Sequence, residues 1–231
     1  MKEEILAIIT ARGNSKGILR KNLYPLNGKP LIYWTIKEAK QSKKISRIVV
    51  TSEDEEILAF SKKEGVEIIE RPNELSGDST SSAEVIRHAL EYLKEKENYI
   101  AKAFILLQPT SPLRTADDID SSLDLFLQNE CSAVVSSYRL KKTPLKNFIL
   151  NEKGYLEAIR TEYLFSSRHN LPETVSPNGA IFIIKTDLFL QTNSLLAKDT
   201  LPFFMEEERS IDIDSIDDIE AAEKYFREKH R

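Results

Sequence analysis

Ile5-Leu6-Ala7-Ile8-Ile9, followed closely by Arg12-Gly13-Asn14-Ser15-Lys16-Gly17, is the stretch on which the fold turns. A short apolar run without polar alternation predicts a parallel strand buried on both faces. The loop leaving its C-terminal end holds two glycines and two cations, with Arg20 and Lys21 close behind. Glycine lets the backbone approach a ligand, and Arg and Lys supply donors and positive charge. At the C-terminal edge of a parallel strand, that set suits the phosphates of a nucleotide. The chain has neither G-x-G-x-x-G nor G-x-x-x-x-G-K-[ST], which disfavours a dinucleotide fold and excludes a Walker A loop. A solvated basic turn would have the same composition, so the loop alone leaves both readings open.

The wider composition narrows the choice. The 231 residues are 41% hydrophobic and 30% charged, with a net charge of −4, as in a water-soluble globular chain. An acidic body argues against a nucleic-acid partner, whose footprint would be broadly basic, and local basic loops suggest a small anionic ligand instead. The single cysteine, Cys131, excludes an internal disulfide and favours a reducing compartment. Met1-Lys2-Glu3-Glu4 enters a strand at once, and no apolar run approaches membrane-spanning length. A cytoplasmic location without membrane attachment is therefore expected.

Strand and helix signals alternate outward from the first loop. Pro30 suits N1 of a helix carrying Leu31, Trp34, Ile36 and Ala39. Arg47–Val50, Val66–Ile69, Ala103–Leu107 and Ala133–Ser136 read as strands. Helices are expected over Asp54–Lys63, from the capping box Ser81-x-x-Glu84 to about Lys96, and from Thr115-x-x-Asp118. This βαβα order predicts an α/β fold with a mainly parallel open sheet and helices on both faces. Residues 138–177 depart from it: Phe148–Leu150, the turn Asn151–Gly154 and Tyr155–Ala158 read as a hairpin followed by irregular chain. Such an excursion suits a dimer arm or a substrate lid on a single domain spanning 1–231. Ala180–Ile184 returns to the sheet, and a helix from Ile216 to about Lys229 closes the chain, capped by Ser215.

Ser210-Ile211-Asp212-Ile213-Asp214-Ser215 alternates polar and apolar residues. As a strand it would turn Asp212 and Asp214 to one face, about 6–7 Å apart, with Ile211 and Ile213 toward the core. A bound Mg²⁺ would relieve their repulsion through hard oxygen ligands. A half-solvated strand running into an acidic helix start would look the same. Gln108-Pro109-Thr110-Ser111-Pro112-Leu113-Arg114 leaves a strand at the ligand edge, where two prolines could hold Gln108 still. It could equally be a stiff turn with Arg114 in solvent. Arg71-Pro72 and Ser76–Ser82 could read a base or ribose, while Ser81 is expected to cap its helix in any case. Arg168 could clamp a carboxylate or lie free at the surface. His88, His169 and His230 lack metal-ligand spacing, so zinc is not expected.

Taken in order, these stretches resemble the acylneuraminate cytidylyltransferase family, the CMP-sialic acid synthetases. The resemblance is carried by Ala11–Gly17 with Arg20-Lys21-Asn22, Arg71-Pro72, Leu107–Arg114, Pro177-Asn178-Gly179-Ala180-Ile181 and Ser210–Asp214. Together they run over nearly the whole chain. It implies a nucleotide-diphospho-sugar transferase-like fold and a homodimer formed through the excursion. It also implies transfer of CMP from CTP to the anomeric 2-hydroxyl of a nine-carbon sugar acid, with release of pyrophosphate. By similarity, Arg12, Lys16 and Lys21 would hold the triphosphate, and Ala11, Asn22, Arg71 and Ser82 would line the cytidine site. Asp212 and Asp214 would position Mg²⁺, with Asp214 also counted among the catalytic residues. Gln108, Lys146, Arg168 and Phe182 would face the sugar acid.

Departures from the family pattern concern the acceptor. Relatives acting on N-acetylneuraminate often carry Arg before Pro-Asn-Gly-Ala and Tyr after Ile, where this chain has Ser176 and Phe182. By the same resemblance, Leu195 and Leu196 stand where such relatives place an aromatic pair. A more apolar pocket would favour a deoxygenated nonulosonate such as legionaminic acid. The competing readings are a cytidylyltransferase for an eight-carbon acid, a sugar-1-phosphate nucleotidyltransferase, and a nucleotide-binding module without turnover.

Overall fold

The apolar run forms β1 (Ile5–Thr10), every residue through Ile9 buried, near the middle of a seven-stranded sheet. The computed structural model describes residues 4–77 and 79–229, so the readings made at Asp78, at His230 and at the first three residues lie outside it. In chain order, a small ribbon of β2 (Pro25–Leu26) and β3 (Lys29–Pro30) leads into α1 (Leu31–Gln41). Then come β4 (Arg47–Ser52), α2 (Glu55–Lys63), β5 (Glu67–Glu70), α3 (Ser82–Glu97), β6 (Ala103–Leu106), α4 (Ala116–Gln128) and β7 (Ala133–Arg139). The exposed hairpin β8 (Phe148–Leu150) and β9 (Leu156–Ala158) follows, then β10 (Val175–Lys185), α5 (Thr186–Thr192), β11 (Thr200–Phe204) and α6 (Ile216–Lys229).

The strand order is β11-β7-β10-β6-β1-β4-β5. Every pairing is parallel except those of β10, which runs antiparallel to both β6 and β7. Helices cover both faces, as the alternation implies. On one face Ile32 and Ile36 of α1 and Ile119 and Leu123 of α4 pack with Ala7, Ile9 and Ile105. On the other, Ile86 and Ala89 of α3 and Phe189 of α5 pack with Leu6, Ile8 and Phe104. A third cluster seats Ile219 and Ala222 of α6 against Ile18, Leu26 and Ile213.

Four details differ from the sequence expectations. Pro30 is the residue before α1, paired in the ribbon, and Leu31 is the first helical residue. β10 starts at Val175, five residues before the expected Ala180, because its first residues pair with Tyr138 and Arg139 of β7. β11 and α5 carried no reading at all. Ser210–Asp214 is extended but is in no strand pairing among the described residues, and its backbone meets the Gln108 loop through a bond from Ile213 N–H to the Thr110 carbonyl at 2.8 Å. The expected alternation survives without the strand: Ile213 is fully buried, while Asp212 and Asp214 are exposed toward the sheet edge.

Candidate active site

A cleft of about 350 Å³ opens at the C-terminal ends of β1, β5 and β6. It is the ligand edge of an open α/β sheet, where strand ends and helix starts leave backbone groups free for a ligand. Into it project Arg12, Lys21 and Asn22 from the first loop, Arg71 after β5, and Ser82 at the start of α3. Gln108 after β6 and the pair Asp212 and Asp214 complete the lining among the expected residues.

The first loop is bound tightly to its surroundings. Ala11 is buried and donates its N–H to the Thr51 carbonyl at 3.1 Å, continuing the line of β1 past its end. A side chain at Gly17 would place its Cβ 2.1 Å from the carbonyl oxygen of Asp214, so the close approach there requires glycine. Lys21 donates from Nζ to the Ile213 carbonyl at 2.7 Å and to Asp214 Oδ1 at 2.9 Å, which ties the loop to the acidic segment. Asn22 is buried and donates to the Arg12 carbonyl at 2.8 Å. Arg20 instead pairs with Asp54 at 3.0 Å and leaves the cleft to its neighbours.

Two buried arginines shape the floor. Arg71 is bonded through Nε and Nη2 to Glu53 at 3.1 and 2.7 Å. Burial pulls its pKa down and the charge of Arg12 works in the same direction, while Glu53 opposes both. Arg114, only 1% exposed, is not the solvated residue of the alternative reading. Its guanidinium donates to the carbonyls of Ala180 and Gln108 at 2.7 and 3.2 Å and to Thr35 Oγ1 at 2.7 Å. Complete burial lowers its pKa to about 10. These bonds fix the Gln108 loop against β10, where Gly179 adopts φ +74°. A Cβ on Gly179 would lie 2.9 Å from Gln108 Oε1 and 3.5 Å from Asp212 Oδ2. Asn178, also buried, bonds Ser136, Ser210 and the Ala180 N–H, and so holds both the turn at Gly179 and the start of the acidic segment.

Asp212 keeps an open face to solvent, yet the packed atoms around its carboxyl desolvate it and raise its pKa, with Asp214 and Asp218 adding to the rise against a hydrogen bond from Thr110 and the charge of Lys21. Carboxylates crowded in this way would favour a cation beside them. Among the described residues, no three or more His, Cys, Asp or Glu side chains are grouped for a metal. Two carboxylates with phosphate oxygens and water are nonetheless a donor set that Mg²⁺ accepts, so the residues fit.

The remaining expected residues stand apart from this lining. Lys16 is exposed on the first loop. Phe182 is half-buried and packs against the core cluster on the α3 and α5 face, as Leu195 also does. Lys146 donates to the Ser166 carbonyl within the excursion, and Arg168 is exposed on a short 3₁₀ turn there. The excursion nevertheless leaves β7 and returns to β10 at the sheet edge that holds the cleft. Glu53 carried no sequence reading, because an acidic residue before the acidic start of α2 looks like helix-dipole compensation.

Residues 6–220 match the family model described as cytidylyltransferase. The chain is 35% identical to N-acylneuraminate cytidylyltransferase of Escherichia coli O18:K1:H7, over 100% of its own length and 54% of that protein. It thus spans about half of that relative. It is 31% identical to CMP-N,N'-diacetyllegionaminic acid synthase of Campylobacter jejuni subsp. jejuni serotype O:2, over 92% of this chain and 90% of the relative. Among solved structures, CMP:2-keto-3-deoxy-manno-octonic acid synthetase complexed with CTP superimposes with a TM-score of 0.73 at 16% identity, covering 98% of this chain and 100% of that one. At that identity the likeness is one of fold. A family match over most of the chain, set on a cleft whose glycines, cations and paired carboxylates converge at one sheet edge, places the chain in the cytidylyltransferase family.

Proposed function

We propose that the chain transfers CMP from CTP to the anomeric 2-hydroxyl of a nine-carbon sialic-acid-like sugar acid and releases pyrophosphate. The observation that carries this reading is the bridge from Lys21 to Ile213 and Asp214, which sets a cation and a carboxylate pair together at the mouth of the cleft. In-line attack on the α-phosphorus needs positioning and charge neutralisation more than covalent catalysis. Arg12, Lys16 and Lys21 would neutralise the triphosphate, while Asn22, Arg71 and Ser82 would hold the cytidine beside Ala11. Asp212 and Asp214 would hold Mg²⁺, which when bound stabilises the leaving pyrophosphate and lowers the pKa of a coordinated hydroxyl. The acceptor oxygen forms the new bond to phosphorus, the bond to the bridging oxygen of pyrophosphate breaks, and the hydroxyl proton passes to solvent.

Gln108, lodged beside Gly179, would face the sugar acid. The excursion bearing Lys146 and Arg168 would close over the acceptor and join two copies into a homodimer. Its apolar side chains Phe148, Ile149, Leu150, Tyr155, Leu156 and Phe165 are all exposed in the single chain, which supports burial against a second copy. The preference for a deoxygenated nonulosonate of the legionaminic type rests on the residues themselves, Ser176 and Phe182 standing where relatives acting on N-acetylneuraminate often carry Arg and Tyr. Among the described residues no helix is long and apolar enough to cross a membrane. A cytoplasmic reaction is part of the proposal, supported by the single cysteine, Cys131, a buried free thiol that suits a reducing compartment.

The test is pyrophosphate release from CTP and Mg²⁺ with N-acetylneuraminate, with legionaminate and with no acceptor. Release that depends on acceptor and stops on chelation of the metal is the expected result, with the faster rate on legionaminate. CTP binding without release on either acid would overturn the assignment of the acceptor. Equal rates on the two acids would remove the proposed preference.

A further inference from the structure

Glu53 lies one residue beyond β4, at a crossing that none of the roles above uses. Its side chain is 9% exposed and that of Arg71 is 3% exposed. One carboxylate oxygen, Oε1, accepts the backbone N–H of Gly13 at 2.7 Å. The other, Oε2, accepts Nε and Nη2 of Arg71 at 3.1 and 2.7 Å. One buried carboxylate therefore holds the glycine-rich loop with one oxygen and a cleft-lining guanidinium with the other.

The rest of the Arg71 guanidinium is also committed. Nη2 reaches the Ala11 carbonyl at 3.4 Å and Nη1 reaches that of Thr51 at 3.5 Å. Among the described residues, one hydrogen on Nη1 is left for an acceptor on a ligand. Arg71 is in this way built to present a single donor rather than a mobile charge. Both ends of the arrangement rest on backbone that is itself fixed, since Arg71 N–H bonds the Ser52 carbonyl at 3.0 Å and Ala11 N–H bonds that of Thr51.

We propose that Glu53 is a positioning residue that locks the phosphate loop to the Arg71 guanidinium, so that the two ends of a nucleotide meet one preorganised surface. The inference rests on the nucleotide reading above. A preorganised site binds more tightly because its side chains need not be ordered when the ligand arrives. Neutralising Glu53 would turn an amide toward Arg71 and leave a buried cation without its counter-charge.

The experiment is calorimetric titration of CTP into the wild-type chain, Glu53→Gln, Arg71→Met and the double variant, with Tm measured for each. Glu53→Gln is expected to weaken CTP binding by about tenfold or more. Its effect and that of Arg71→Met are expected to be strongly non-additive, because each removes the same arrangement. A CTP Kd within about twofold of wild type, or additive effects, would overturn the inference while leaving the functional reading in place. Failure of the wild-type chain to bind CTP would overturn both. Should Glu53→Gln fail to fold, Glu53→Asp carries the same test: a several-fold loss supports the inference, and an unchanged Kd overturns it.

Discussion

A methyl group on Gly17 would collide with the Asp214 carbonyl, so the first loop and the acidic segment are shaped around each other at one atom. Gly17→Ala is expected to cost about 1–3 kcal/mol in a urea melt, as overpacking does, and to slow turnover by shifting Asp214. Lys21→Met should leave the circular dichroism spectrum unchanged and lower kcat about 100-fold, the usual loss when one charge-stabilising donor is removed. At this scale the sequence displays which residues can do chemistry but not which neighbours hold them. Arg12, Lys21, Gln108, Asp212 and Asp214 line one cleft, and what singled them out was the family resemblance of several motifs in order, since each motif alone also fits a plain structural use. The burial of Arg114 and the double duty of Glu53 were not, because each depends on carbonyls or amides brought in by distant strands.

Elements with strong local signals appear where the sequence puts them. The capping boxes at Ser81 and Thr115 are both formed, since each needs only residues three apart. β11 went unread because Pro202 breaks its pattern, a residue tolerated there since the strand lies at the sheet edge. The opposite error at Ser210–Asp214 has the same root: alternation reports a half-buried extended chain, and only a partner strand makes it a ladder. Helix α3 offers a pH test. His88 has its Nδ1 buried and, among the described residues, without a hydrogen-bond partner. Burial, followed by the charge of Arg71, moves its pKa below 6.5, and Glu91 opposes. The folded chain therefore binds fewer protons than the unfolded one between that lowered value and about 6.5. Stability is full above the window and falls as pH drops through it. His88→Gln should flatten the curve of urea midpoint against pH between about 7 and 5.

For the whole molecule, the parallel sheet with helices on both faces followed from the alternation of periods, whereas the reversed direction of β10 could not be read from its own residues. Assembly is open to a direct test. The wild-type chain is expected to sediment as a dimer, and Ile149→Asp with Leu156→Asp as a monomer with an unchanged far-ultraviolet spectrum. A monomeric wild type would remove the dimer from the proposal. The antiparallel course of β10 has one more effect. Since β7 ends at Arg139 and β10 begins at Val175 on the same rim, the chain between them, residues 140–174, forms an appendage that enters and leaves the body through a single doorway. Nothing in the core need be rethreaded when that appendage grows, shrinks or is exchanged, and doubling a flexible connection costs only about 0.6 kcal/mol in closure entropy. The part of the chain proposed to choose acceptor and companion can thus drift while the proposed nucleotide site beneath it stays still.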